Sequence, residues 1–164
     1  VNLIEVCRLL VLDKSTGYLT TNESTKNSLI NQQPTMAKQI ITTPNAPAPI
    51  GPYNQAVLIN GTLYTSGQIA IDPKTGELLK GSIKEETTLV MENMKAVLTA
   101  ANMTFENVVK TSIFISDMHN FNEINAVYSQ YFDDATAPAR ETVEVANLPK
   151  FVNVEISMIA VEGA

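Results

Sequence analysis

From residue 55 onward, apolar residues recur with two different periods, and each change of period marks a new element. Gln55 to Ile59 and Thr62 to Ser66 are β-prone runs joined by Asn60-Gly61, a dipeptide that supplies the positive φ angles of a two-residue hairpin turn. Asp72 to Gly76 reads as a turn or loop. Ser82 and Glu85 then stand at capping-box spacing, which predicts a helix start. Behind that cap Ile83, Thr87, Val90, Met91, Met94, Val97, Leu98 and Ala101 recur every three or four residues and form one apolar stripe. Glu85, Glu86, Glu92 and Lys95 are expected to face water, and the methionines to fill core. Val108 to Ile115 is a β-branched and aromatic run, and helical spacing returns from about Phe121 to Phe132, with Ile124, Val127, Tyr128 and Tyr131 on the buried face. Thr142 to Val145 and Asn153 to Val161 close the pattern as strands. In the last, Val154, Ile156, Met158 and Ala160 point one way, and Glu155, Ser157, Ile159 and Val161 the other.

The order ββαβαββ predicts an α/β (α+β) two-layer sandwich, a mixed sheet with two helices on one face. The face that carries Glu155 and Ser157 beside Ile159 and Val161 is too apolar to stay wet and too polar for a dry core. Burial against other subunits, with a cleft left at the polar end, meets both demands and predicts a closed oligomer.

Residues 1–35 differ from the rest: a short apolar start, then a stretch rich in Thr, Asn, Ser and Gln. They read as a flexible extension, upstream of the true start or not native, because Met36 opens a segment that resembles a natural amino terminus. The domain is therefore expected over 36–164. A transit peptide would be rich in Arg and poor in acids, whereas this stretch holds one arginine, Arg8, and Glu5, Asp13 and Glu23. Cytoplasm is the expected location, with the mitochondrion as the alternative if residues 1–35 are a genuine presequence.

A net charge of −6 disfavours phosphate backbones and anionic membranes as main partners. No apolar run has the length of a membrane span. One cysteine, Cys7, and one histidine, His119, leave no set for a zinc cluster or a disulfide framework within the chain, so no metal or organic cofactor is expected. His119, in an expected loop, reads as solvated or capping.

The candidate chemistry lies near the carboxyl end. Pro138-Ala139-Arg140 is followed fifteen residues after the arginine by Glu155. A guanidinium fork can hold a small carboxylate bidentately, and a glutamate in a cleft can activate water. Taken alone, Arg140 reads equally as a surface or interface salt-bridge partner, and Glu155 as a cross-strand or intersubunit ion-pair partner.

The strings GPYNQA (Gly51 to Ala56), SGQIA (Ser66 to Ala70), VVKTSIFISDM (Val108 to Met118), INAVYSQYF (Ile124 to Phe132), PARETVEVANLPK (Pro138 to Lys150) and VEISMIAV (Val154 to Val161) resemble the RidA/YjgF family, in order and at family spacing. The resemblance runs from about Thr42 to Val161. It implies a fold like that of the trimeric bacterial chorismate mutase, a homotrimer with sites in clefts between subunits, and deamination of reactive 2-imino and enamine acids. The nearest subgroup is the 2-iminobutanoate/2-iminopropanoate deaminases.

The resemblance also implies roles. Arg140 would bind the substrate carboxylate and Glu155 would orient or deprotonate the attacking water. Tyr53, Ser66, Gly67 and Asn125 would line the pocket, and the backbone amide of Thr142 would face the carboxylate. Thr142 stands where close relatives often have cysteine, and Glu141 is larger and more acidic than the residue usual there. Each has an ordinary reading beside this one: Tyr53 as a packing residue, Asn125 as an exposed helix position. Two other functions fit the family, a noncatalytic small-molecule-binding trimer and, against the acidic charge, a ribonuclease or translation inhibitor.

Overall fold

The computed structural model describes residues 10–12, 19–21 and 37–164, in two units, Val1–Met36 and Ala37–Ala164. In the first unit, strands β1 (Leu10–Leu12) and β2 (Leu19–Thr21) pair antiparallel, Leu10 opposite Thr21. The extension expected over 1–35 otherwise lies outside the described residues.

The second unit opens with β3 (Gln39–Ile41), a strand the sequence pattern did not announce. Three residues carry no readable period. They are ordered by pairing antiparallel with β4 (Ala56–Ile59), Ile40 opposite Val57. β4 turns into β5 (Thr62–Thr65) through Asn60 and Gly61, whose φ angles of 52° and 72° are those the dipeptide predicts.

Helix α1 (Ile83–Ala100) starts where Ser82 and Glu85 cap each other reciprocally, and Ala101 is its C-cap. Val90, Met91, Met94, Val97 and Leu98 are buried along the stripe. Glu86 departs from expectation. It lies on the buried face, one turn before Val90, and its carboxylate accepts from the Asn153 backbone N–H and Nδ2, both at 2.8 Å. These bonds tie α1 to the start of the last strand.

Strand β6 (Val108–Ile115) leads to α2 (Phe121–Tyr128), shorter than expected because Ser129–Tyr131 tightens into a 3-10 turn. Strand β7 spans Ala139–Glu144, so Arg140 lies inside a strand that the sequence pattern begins at Thr142. Strand β8 (Val154–Val161) alternates buried and half-buried residues along its whole length.

The sheet order is β3-β4-β5-β8-β6-β7; β6 and β7 are parallel and the other neighbours antiparallel. The mixed sheet with two helices on one face is therefore the observed α+β architecture. Val154, Ile156, Met158 and Ala160 join Met91, Met94, Leu98 and Ile124 in one core. The opposite face presents Glu155, Ser157, Ile159 and Val161, half-buried, and Tyr64, exposed.

Candidate active site

Tyr53, Ser66, Gly67 and Glu155 line one cavity of about 350 Å³. Glu155 reaches it because β8 turns its odd residues away from the helices. Gly67 faces it because Gln68 bridges Ile156 in an antiparallel pair, Gln68 N–H to Ile156 C=O at 2.8 Å and the return bond at 3.1 Å. The glutamate and the glycine are in tight register. A Cβ on Gly67 would stand 1.9 Å from Glu155 Oε1 and 2.8 Å from its Cγ, so only glycine leaves that carboxylate where it is.

Burial pushes the Glu155 carboxyl above the usual carboxylate range. Its surroundings are apolar, with Ile50, Ile69 and Pro149 among the walls. The Ser66 hydroxyl donates to Asn54 C=O at 2.6 Å, leaving it an acceptor toward the cavity. Tyr53 is 47% exposed, and its hydroxyl accepts a long bond, 3.3 Å, from Ile50 N–H.

Arg140 and Asn125 line a second cavity of about 340 Å³ with Tyr128, Phe132 and Pro138. Arg140 Nη1 donates to Asn125 Oδ1 at 2.8 Å, and its guanidinium lies 4.9 Å from the centroid of the Tyr128 ring and 5.9 Å from that of Phe121. Stacking and one hydrogen bond orient the fork and leave further N–H groups for a ligand. Tyr128 is itself fixed, buried and donating to Thr111 Oγ1 at 3.1 Å.

The two cavities belong to opposite faces of the sheet. Arg140 pairs with Thr111 and Thr142 with Ile113, both buried toward the helices, so Arg140 is on the helix side. Glu155 pairs with Phe114, which pairs with Val143, on the other side. Three residues along β7 and two strands across separate the pair by about 10 Å in each direction. Within one chain the two cavities are separate, and Arg140 is not brought to Glu155.

Thr142 adds a backbone donor. Val145 N–H bonds Ile115 C=O at 2.9 Å, and the two-residue period of a strand gives the same inward direction to Val143 and Glu141. The amide of Thr142 thus points off the open edge, since β7 ends the sheet. Its hydroxyl is buried with no hydrogen-bond partner in the protomer. Glu141 is on the opposite face from Arg140 and is engaged by Lys110 and Ser112, which hold its carboxyl below the usual range. It does not reach the arginine's cavity. His119, expected in a loop, lies exposed in the 3-10 turn Met118–Asn120, bonded through Nδ1 to Asp117, the residue that caps the turn, at 2.7 Å.

Three polar residues without a sequence assignment hold the first cavity in shape. Gln55 is 3% exposed, accepts Thr43 N–H at 2.6 Å and donates to the carbonyls of Thr43, Ala46 and Pro47, which fixes the wall ahead of Tyr53. Gln68 is buried in the lining. Asn93, buried on α1, donates to Ile69 C=O at 3.3 Å and Ile71 C=O at 2.9 Å. A lone amide inside the stripe of Val90, Met94 and Val97 was the signal that could have found it. Asn93→Ala strands those carbonyls and should lower stability by about 2 kcal/mol, read by denaturant unfolding. Among the described residues no group of three or more His, Cys, Asp or Glu could hold a metal, and no helix is long and apolar enough to cross a membrane.

Comparison with known proteins agrees with this architecture. Residues 43–162 match the family model described as Endoribonuclease L-PSP. The chain is 54% identical over 127 residues to a RutC family protein of Synechocystis, covering 77% of this chain and 98% of that protein. It is 44% identical over 128 residues to the human 2-iminobutanoate/2-iminopropanoate deaminase, covering 78% and 93%. The solved structure of E. coli TdcF with bound serine matches with a TM-score of 0.72 at 42% identity, covering 76% of this chain and 99% of that one.

Proposed function

The chain belongs to the RidA/YjgF family, described as Endoribonuclease L-PSP, and from that membership we propose that it hydrolyses 2-imino and enamine acids to 2-oxo acids and ammonia. The observation that carries this reading is the pair of complementary half-sites. An oriented guanidinium with an adjacent edge amide suits a carboxylate, and a desolvated glutamate beside a bare glycine suits water. A homotrimer that sets one protomer's Arg140 against a neighbour's Glu155 completes the site.

The chemistry then balances without a cofactor. The substrate carboxylate is held by Arg140, Asn125 orienting the fork, and by the Thr142 amide. The Glu155 carboxylate takes a proton as water oxygen bonds to C2 of the protonated imine, and the C=N electron pair moves to nitrogen, which gives a neutral carbinolamine. The nitrogen then receives the proton from Glu155, the C–N bond breaks to release ammonia, and the hydroxyl proton passes to the Glu155 carboxylate, and from it to the ammonia, as the C=O forms. Burial favours this double role, since raising the carboxyl's pKa makes Glu155 a better proton acceptor that can still return the proton. Family membership supports the substrate class: one relative is named for this reaction, and another binds serine, whose carboxylate also adjoins a nitrogen-bearing carbon.

The family description also raises a ribonuclease. The charge of −6 and a single histidine weigh against it. The test couples the protein to an enzyme that generates 2-iminobutanoate and follows 2-oxobutanoate. Release should accelerate, with kcat/KM rising as pH climbs through a carboxyl above the ordinary 4.5 of glutamate. Glu155→Gln should remove that rise while 2-oxo acid binding persists. No acceleration by the parent protein removes the reading and leaves only a binding protein, and Glu155→Gln at parental rate removes Glu155 from the chemistry.

A further inference from the structure

Arg140 is not the only charge in its cavity. Asp134 lines the same cavity, on the loop that joins the 3-10 turn after α2 to β7. The loop is shaped from within. Asp133 Oδ1 accepts Ala135 N–H at 2.8 Å and Asp133 C=O accepts Thr136 N–H at 3.1 Å, while Pro138 restricts the backbone of Ala137 just before the strand. Asp133 is thus engaged in closing the turn. Its neighbour Asp134 makes no hydrogen bond or ion pair among the described residues, and the Arg140 guanidinium donates only to the neutral Asn125.

A positive and a negative group therefore share one cavity without neutralising each other. A ligand that answers both carries both signs: a plain carboxylate satisfies the guanidinium and is opposed by Asp134. The protonated imine of the reaction above is such a ligand, with a cationic nitrogen on C2, the carbon next to the carboxylate. With that carboxylate on the Arg140 fork, the nitrogen's N–H groups have a carboxylate to meet, and an opposite charge nearby favours the protonated form. The nitrogen is cationic when water attacks C2 and again when the C–N bond breaks. The 2-oxo product has no nitrogen, so it loses this contact on release.

We propose that Asp134 is a substrate-binding residue, the counter-charge for the protonated imine nitrogen, and that it makes the site prefer zwitterions to plain 2-oxo acids. This rests on the hydrolysis proposed above for the identity of the substrate and adds the residue that reads its nitrogen.

L-2-Aminobutanoate and 2-oxobutanoate share a carbon skeleton and a carboxylate and differ at the cationic nitrogen, so calorimetric titration with each reads the counter-charge without any reaction. Asp134→Asn should weaken the amino acid by about fivefold, the upper end for an exposed charge pair, and leave the 2-oxo acid as tight or tighter. Asp134→Glu should keep the parental order of affinity. Asp133→Asn is the matched control, an equal change of charge one residue away that retains the oxygen closing the turn, and should alter neither ligand. In the coupled assay Asp134→Asn should lower kcat/KM for 2-iminobutanoate by about fivefold as well. A parent that does not bind the amino acid, a loss shared equally by both ligands, or the same selective loss in Asp133→Asn overturns the proposal. Selective loss of the amino acid in a protein that hydrolyses no imine would remove the reaction and leave the counter-charge. Hydrolysis by Asp134→Asn at the parental kcat/KM, with the order of binding unaltered, would do the reverse.

Discussion

Arg140→Ala and Glu155→Gln, each expected to retain about one hundredth of parental activity or less, should regain about a quarter of it when the two variants are refolded together. The reason is geometric. Arg140 is on the helix side of β7 and Glu155 on the other side of β8, so neither protomer alone can join them. If a site takes its glutamate from one protomer and its arginine from the next, random mixing of equal amounts makes each half intact with a chance of about one half, and both with about one quarter. Either variant mixed with itself regains nothing. The measurement is imine hydrolysis after joint refolding, with mixing of intact assemblies as the unmixed control. Recovery indistinguishable from the separate variants would show that the half-sites do not meet between copies.

Gly67→Ala should lower kcat by about a hundredfold with little loss of stability. The three atoms nearest the added methyl all belong to the Glu155 side chain, Oε1 at 1.9 Å, Cδ at 2.7 Å and Cγ at 2.8 Å, so the carboxylate swings aside before the backbone yields. No positive φ stands at this glycine to strain the variant. The two positions are coupled and must be non-additive: in a Glu155→Ala background the three atoms that an alanine at 67 would crowd are gone, and the change in melting temperature it causes should shrink. Gly67→Ala should also complement Arg140→Ala in mixed assemblies and fail to complement Glu155→Gln, because 67 and 155 share one half-site. Parental kcat with the melting temperature unchanged would show that the position of Glu155 is immaterial.

Local rules made much of this fold legible. Asn60-Gly61, the Ser82/Glu85 cap and the alternation of β8 each depend on near neighbours, and each is observed as read. Non-local pairing supplied the rest. β3 exists through β4, and β7 begins at Ala139 because parallel pairing carries Lys110 to that position. Glu86 looked solvated, since a charge on a helix normally is; its partner Asn153 is 67 residues away. The site divides the same way. Arg140, Glu155, Asn125 and Gly67 stood out as residue types in motifs, but their faces depended on registers that sequence spacing does not fix. Gln55 and Asn93 carry no reactive group, and only their burial reveals that they hold the cavity's walls.

The sheet order has a consequence for biosynthesis. β8, the last strand in chain order, lies between β5 and β6, at the middle of the six. During translation the preceding strands can make only two separate ladders, β3-β4-β5 and β6-β7, each with a bare inner rim. The keystone arrives when nearly all of the domain has left the ribosome, and it brings Glu155 with it. A nascent chain stopped before Val154 should therefore be an aggregation hazard, and a holdase that shields those rims its natural remedy.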